Sequence, residues 1–137
     1  MIDERPTIRF SGGDAQVLFT LHADEPWTYW DITTTLMADA GPFHGEVRTI
    51  LDLSDLSTLQ QRLMDLDQHV GQLHQSQWQP NNMVSLTFDL LQTGHLRVAV
   101  VLEDWTSDVR FAFTISADQT YLPAWIADVV HALKRFP

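Results

Sequence analysis

The sequence contains no cysteine and a single lysine, Lys134, in 137 residues. The first absence removes disulfides, thiolate metal ligands and cysteine nucleophiles, and it suits a reducing compartment. Basic residues are scarce. Eight Lys and Arg stand against eighteen Asp and Glu, which leaves a formal net charge of −10. A domain this acidic repels nucleic-acid backbones and anionic lipid and attracts basic proteins. The same charge also serves plain solubility. Apolar runs stay far below the ~18 residues of a membrane span. The opening stretch "MIDERPTIRF" has no basic region followed by an apolar run, so no secretion signal is expected. These absences predict a cytoplasmic protein with neither a membrane nor a nucleic-acid partner.

Compact catalytic motifs are missing too. There is no G-x-S-x-G elbow, no phosphate loop and no dinucleotide fingerprint. "SGGD", Ser11 to Asp14, has two glycines but leads into a strand, so it reads as a turn and not an anion cradle. Of the six histidines, no pair has H-x-x-x-H spacing on one expected helix. His69 and His74 straddle a helix exit at Gly71, and all six read as isolated surface residues. Paired carboxylates, Asp24-Glu25 and Glu103-Asp104, fall in expected turns, where they are solvated and not tuned as acid and base. The expectation is a protein that is not an enzyme and has no metal and no cofactor.

What the chain does have is periodicity. Its length favours one domain, 1–137, and 45% hydrophobic residues suit a packed core. Period-two alternation marks Ala15 to Asp24, with Val17, Phe19 and Leu21 on one face. It continues in Thr28 to Asp39, with Trp30, Ile32, Leu36 and Ala38 inward and Tyr29, Asp31, Thr33, Thr35 and Asp39 outward. Phe43 to Leu53 repeats the pattern, with Phe43, Val47, Leu51 and Leu53 against His44, Glu46, Arg48 and Asp52. Connections this short require an antiparallel meander. A helix then starts near Ser54 or Ser57, where Ser57 and Gln60 have capping-box spacing, and carries the stripe Leu56, Leu59, Leu63, Leu66 and Val70.

A second meander covers Met83 to Gln92, His95 to Asp104 and Val109 to Ser116, with Leu73 to Trp78 a weaker strand signal. The final helix starts near Asp118 or Thr120, with Pro123 in its first turn and Leu122, Ile126, Val129 and Leu133 in its stripe. The two helix openings align without a gap, Asp55 with Asp118 and Ser57 with Thr120. The fold class is therefore α+β: two antiparallel β-meanders, each followed by one α-helix, the helices packed on one face of the sheets.

Charge is unevenly spread. No Lys or Arg stands between Arg9 and Arg48, a span holding Asp14, Asp24, Glu25, Asp31, Asp39 and Glu46. Asp31 and Asp39 share the wet strand face with Tyr29, and Trp27 lies just before. Acidic residues beside exposed aromatics form a landing site for a basic protein, or a solvated sheet face whose aromatics shield its edge. The candidate partner-binding residues are Asp24, Glu25, Trp27, Tyr29, Asp31, Asp39 and Glu46. The alternative is a small-ligand-binding module, the meanders curving around a cavity lined by Trp30, Phe88 and Phe111.

The strand "WTYWDITTTLMAD", the run "GPFHGEVRTILDLSDLSTLQQRLMDL", the hydrophobic hairpin and the closing "FAFTISADQTYLPAWIADVVHAL" together resemble the WapI-type immunity protein family. The resemblance rests on Phe43-His44-Gly45, on "DLSDL" before the first helix and on "DQTYL", Asp118 to Leu122, before the last. It implies an antidote that binds and silences a cognate bacterial toxin, often a basic nuclease, by occlusion. It carries over no catalytic residue. A monomer or weak homodimer is expected.

Overall fold

The computed structural model describes residues 5–23, 32–104 and 106–136. Its elements run β1 (Thr7–Gly12), β2 (Ala15–His22), β3 (Ile32–Ala40), β4 (Phe43–Leu51), α1 (Leu53–Gln68), β5 (His74–Asn81), β6 (Val84–Leu90), β7 (His95–Asp104), β8 (Val109–Asp118), a 3-10 turn (Gln119–Tyr121) and α2 (Leu122–Arg135). The strands form two four-stranded antiparallel sheets, β1-β2-β3-β4 and β5-β6-β7-β8, in sequence order. This is the expected α+β class, two meanders each followed by a helix.

Each meander carries one more strand than the clearest alternation marks. β1 lies outside the strands expected from the alternation, yet Ile8 and Phe10 alternate inward with Thr7 and Arg9 outward. The "SGGD" segment ends β1 at Gly12 and makes the β1–β2 hairpin turn with Gly13 and Asp14, Gly13 at φ +60°. β5 is polar in composition, but Ser76 and Trp78 point inward while Gln75 and Gln77 face out.

Both sheets and both helices share one core. Phe10 of β1 is its hub. Its ring lies 5.9 Å from Phe19 of β2, 5.9 Å from Phe88 of β6 and 5.1 Å from Trp125 of α2. Trp78 of β5 stands 5.9 Å from Phe19 and donates its indole N–H to the backbone carbonyl of Asp55 at 2.9 Å. α1 buries Leu56, Leu59, Leu63 and Leu66, as its period requires. Val70, expected in that stripe, lies beyond the helix end and is exposed. α2 buries Leu122, Trp125, Val129 and Ala132. Ile126 and Leu133, expected on the stripe, only flank the core. The buried face is centred on Trp125, one residue round from where the aliphatic residues alone would place it.

The cap of α1 differs from expectation. α1 is capped by Asp52, not by Ser54 or Ser57. The Asp52 carboxylate accepts from the Asp55 N–H at 2.8 Å, and the Asp55 carboxylate accepts from the Asp52 N–H at 3.0 Å. Ahead of α2, the Asp118 carboxylate accepts from the Thr120 N–H at 2.8 Å and from the Thr120 hydroxyl. Ser54 donates its hydroxyl to Asp52 in the same way, at 2.9 Å. The true correspondence between the two openings is therefore Asp52-x-Ser54 with Asp118-x-Thr120, three residues away from the gap-free alignment. The duplicated "DLS" in "DLSDLS" makes the two registers look alike in sequence.

Candidate partner-binding surface

The first sheet turns one face to the core and presents the other outward. Antiparallel register builds that outer face in cross-strand rows. One row is Arg9, Leu18, Met37, Glu46; a second is Thr7, Thr20, Thr35, Arg48; a third is Ser11, Gln16, Asp39, His44. Asp39 and Glu46, on neighbouring strands, thus share one face as their alternation predicts. Asp24, Glu25, Trp27, Tyr29 and Asp31 lie outside the described residues.

Neighbours moderate both described carboxylates. Asp39 is half-buried and accepts from the Gln16 amide at 3.1 Å. Glu46 is exposed and meets the Arg48 guanidinium at 3.4 Å. With Arg9 in the Glu46 row, the described part of the face carries both signs of charge. Beside the half-buried Leu18, it also carries two exposed apolar side chains that the charge pattern did not single out, Met37 at 49% exposure and Ile50 at 57%. Both were legible, since alternation with buried Leu36 and Leu51 forces them outward. Exposed apolar groups ringed by threonines and charges have the make-up of a protein contact surface.

Several acidic side chains elsewhere are occupied locally. Asp104 accepts from the Thr106 N–H at 3.0 Å and the Thr106 hydroxyl at 2.7 Å. The Thr106 hydroxyl bond is the main reason its carboxyl sits below the usual range. Glu103 pairs with Arg110 at 3.3 Å. Asp118 is held low by its bonds from Thr120, the hydroxyl first. Asp55 moves the other way, because burial outweighs its hydrogen bond from the Asp52 backbone. Trp105 lies outside the described residues.

His69 and His74 are not isolated. Their rings stack with centroids 3.9 Å apart and planes 3° from parallel. His74 Nε2 stands 2.5 Å from Asp65 Oδ2, and His69 Nδ1 lies 2.7 Å from the Asp65 backbone carbonyl and 3.5 Å from Oδ1. The His74 bond is the first cause of the lowered Asp65 pKa. Sequence spacing missed this cluster because a chain reversal at Gly71, φ +92°, closes it. Of the residues suggested for a ligand cavity, Phe88 is fully buried against Phe10, and Phe111 is half-buried against Phe113 at 5.2 Å. Trp30 lies outside the described residues.

Among the described residues, no helix is long and apolar enough to cross a membrane. No curated protein matches the chain. Among solved structures, WHY1 from Arabidopsis thaliana matches with a TM-score of 0.54 at 12% identity, covering 97% of this chain and 91% of that one. A likeness at that identity shows a shared fold. A DUF155-family protein of unknown function from Prochlorococcus sp. NATL2A covers 92% of this chain and 98% of its own at 8% identity, but its TM-score of 0.38 is too low to bear on the fold. The WapI-like immunity protein family model matches residues 7–137, so its span includes both meanders and both helices. The chain belongs to the WapI-like immunity protein family.

Proposed function

We propose that this protein is the antidote to a bacterial toxin: it binds the toxin and occludes its working surface, with no turnover of its own. The observation that carries this reading is the family match across residues 7–137. The charge supports a basic toxin, a nuclease being the natural case. A protein of net charge −10 associates quickly with a basic partner and can cover a site built for phosphate. Such an antidote acts in the cytoplasm, where a nuclease would meet its substrate.

The contact surface in this proposal is the outer face of the first sheet, extended by Asp24, Glu25, Trp27, Tyr29 and Asp31. Met37 and Ile50 supply apolar contact, and Asp39 and Glu46 supply charge near them. Titrating the purified protein into candidate toxin domains from the same genome tests the reading. Stoichiometric loss of toxin activity, one antidote to one toxin, is expected for one of them. Undiminished activity of every candidate at molar excess would dismiss it.

A further inference from the structure

We propose that Asp65, His69 and His74 form a binding site for a divalent transition-metal ion, zinc above all, at the junction of α1 and β5. Asp65 and His69 are four residues apart and lie on one face of the helix end. Gly71 reverses the chain, and His74, the first residue of β5, returns over the same face. One ligand atom from each of the three residues lies within 4.8 Å of the others. An ion bonded at about 2.0–2.2 Å to each donor spans separations of up to ~4 Å, so side-chain rotation with the backbone in place brings all three to one centre.

The donor chemistry selects the ion. Two imidazoles and one carboxylate suit zinc, nickel or copper, whereas magnesium and calcium favour sites built wholly of oxygen. His69 Nδ1 already faces the backbone carbonyl of Asp65 at 2.7 Å. Nδ1 is also the His69 nitrogen that the structure places near the Asp65 carboxylate, 3.5 Å from Oδ1, so it serves as the ligand once it gives up that backbone bond. The side chains of Asp65, His69 and His74 are 43%, 34% and 26% exposed. Three protein ligands with solvent access leave a fourth position for water or for a side chain of a bound partner.

The stacked rings make a specific demand. An ion must lie near the plane of each imidazole it binds, and two stacked rings with centroids 3.9 Å apart and planes 3° from parallel do not share such a position. Binding therefore turns one ring about its Cβ–Cγ bond and opens the stack. The ion then ties the end of α1 to the start of β5, so it stabilises the folded chain by mass action.

The test uses the full-length protein, freed of metal, and zinc chloride as the probe. Calorimetric titration should give one ion per chain. At about a hundredfold excess over the dissociation constant, Tm should rise by about 5–8 °C and fall back when EDTA is added. His69→Gln and His74→Gln should each weaken binding at least about tenfold. Imidazole NMR signals of the wild-type protein should shift at His69 and His74 and stay still at His22, His44, His95 and His131. This spectrum needs no variant, so it holds even if a substitution disturbs folding. An absence of stoichiometric binding, or zinc shifts centred on other histidines, would overturn the proposal.

Discussion

Gly12 of β1 lies against the backbone of Ser116 in β8 so closely that a Cβ on Gly12 would stand 2.1 Å from the Ser116 carbonyl oxygen. This contact is where the two sheets meet, and the obstacle is backbone, which cannot swing aside as a side chain does. Gly12→Ala is therefore expected to destabilise the fold by about 2–3 kcal/mol, the range of a core insertion that forces backbone to move. Gly41→Ala provides the contrast. Gly41 has φ +60° but nothing within 4 Å of an added Cβ, so only left-handed strain remains, about 1 kcal/mol. Urea denaturation of the two variants should rank them in that order.

The caps make a second test. Asp52→Ala removes the acceptor for the Asp55 N–H and also the partner of the Ser54 hydroxyl. Asp118→Ala removes the acceptor for Thr120. Asp52→Ala should cost about 1 kcal/mol, the usual worth of a helix N-cap, and Asp118→Ala should lower the urea midpoint in the same direction. Ser57→Ala should change stability by only a few tenths of a kcal/mol, as surface substitutions generally do, because the capping box is Asp52 with Asp55 and not Ser57 with Gln60. Equal losses in Ser57→Ala and Asp52→Ala would contradict the cap assignment.

The carboxylates predict a pH dependence of mixed sign. Asp65, Asp104 and Asp118 have folded pKa values below the ordinary aspartate value of 3.8. Their contribution is complete above that unfolded value and is lost as pH falls through the lower folded values. Asp55 has a folded pKa above 3.8. Its contribution is present below the unfolded value and disappears as pH rises through the folded one, so the ionised form opposes folding at neutral pH. Asp55→Asn keeps an oxygen to accept the Asp52 N–H and removes that charge. It should raise the urea midpoint at pH 7, with the gain shrinking toward pH 3. A loss of stability at pH 7 that persists at pH 3 would show that the Asn side chain fails to replace the cap.

The strands and helices that repeat an apolar residue at two, or at three and four, were legible because each such residue answers to its own segment alone. Val17, Phe19 and Leu21, and Leu56, Leu59, Leu63 and Leu66, are all buried as their spacing requires. β5 was harder because Trp78 is the one large apolar side chain among Ser76, Gln75, Gln77 and Gln79. Its burial depends on Phe19 and on the Asp55 carbonyl, 23 residues away. Nothing periodic in the chain announces that Phe10 touches Phe19, Phe88 and Trp125, or that His74 closes on Asp65. Those contacts arise from how the sheets and helices stack. The candidate surface was half legible: alternation placed Asp39 and Glu46 on one face. The reading of charge alone passed over Met37 and Ile50, and Arg48 beside Glu46 offsets part of the acidity.

In the proposed function, the outer face of the first sheet is the surface that holds a toxin. The most direct test is the dissociation constant of Asp39→Lys/Glu46→Lys for the toxin domain that the wild-type protein neutralises, measured at low and high salt. The account predicts a rise of about tenfold or more, because two attractive charges become repulsive beside Arg48, together with a weaker dependence on salt. Wild-type affinity with an unchanged salt dependence, in a variant that remains folded, would contradict it.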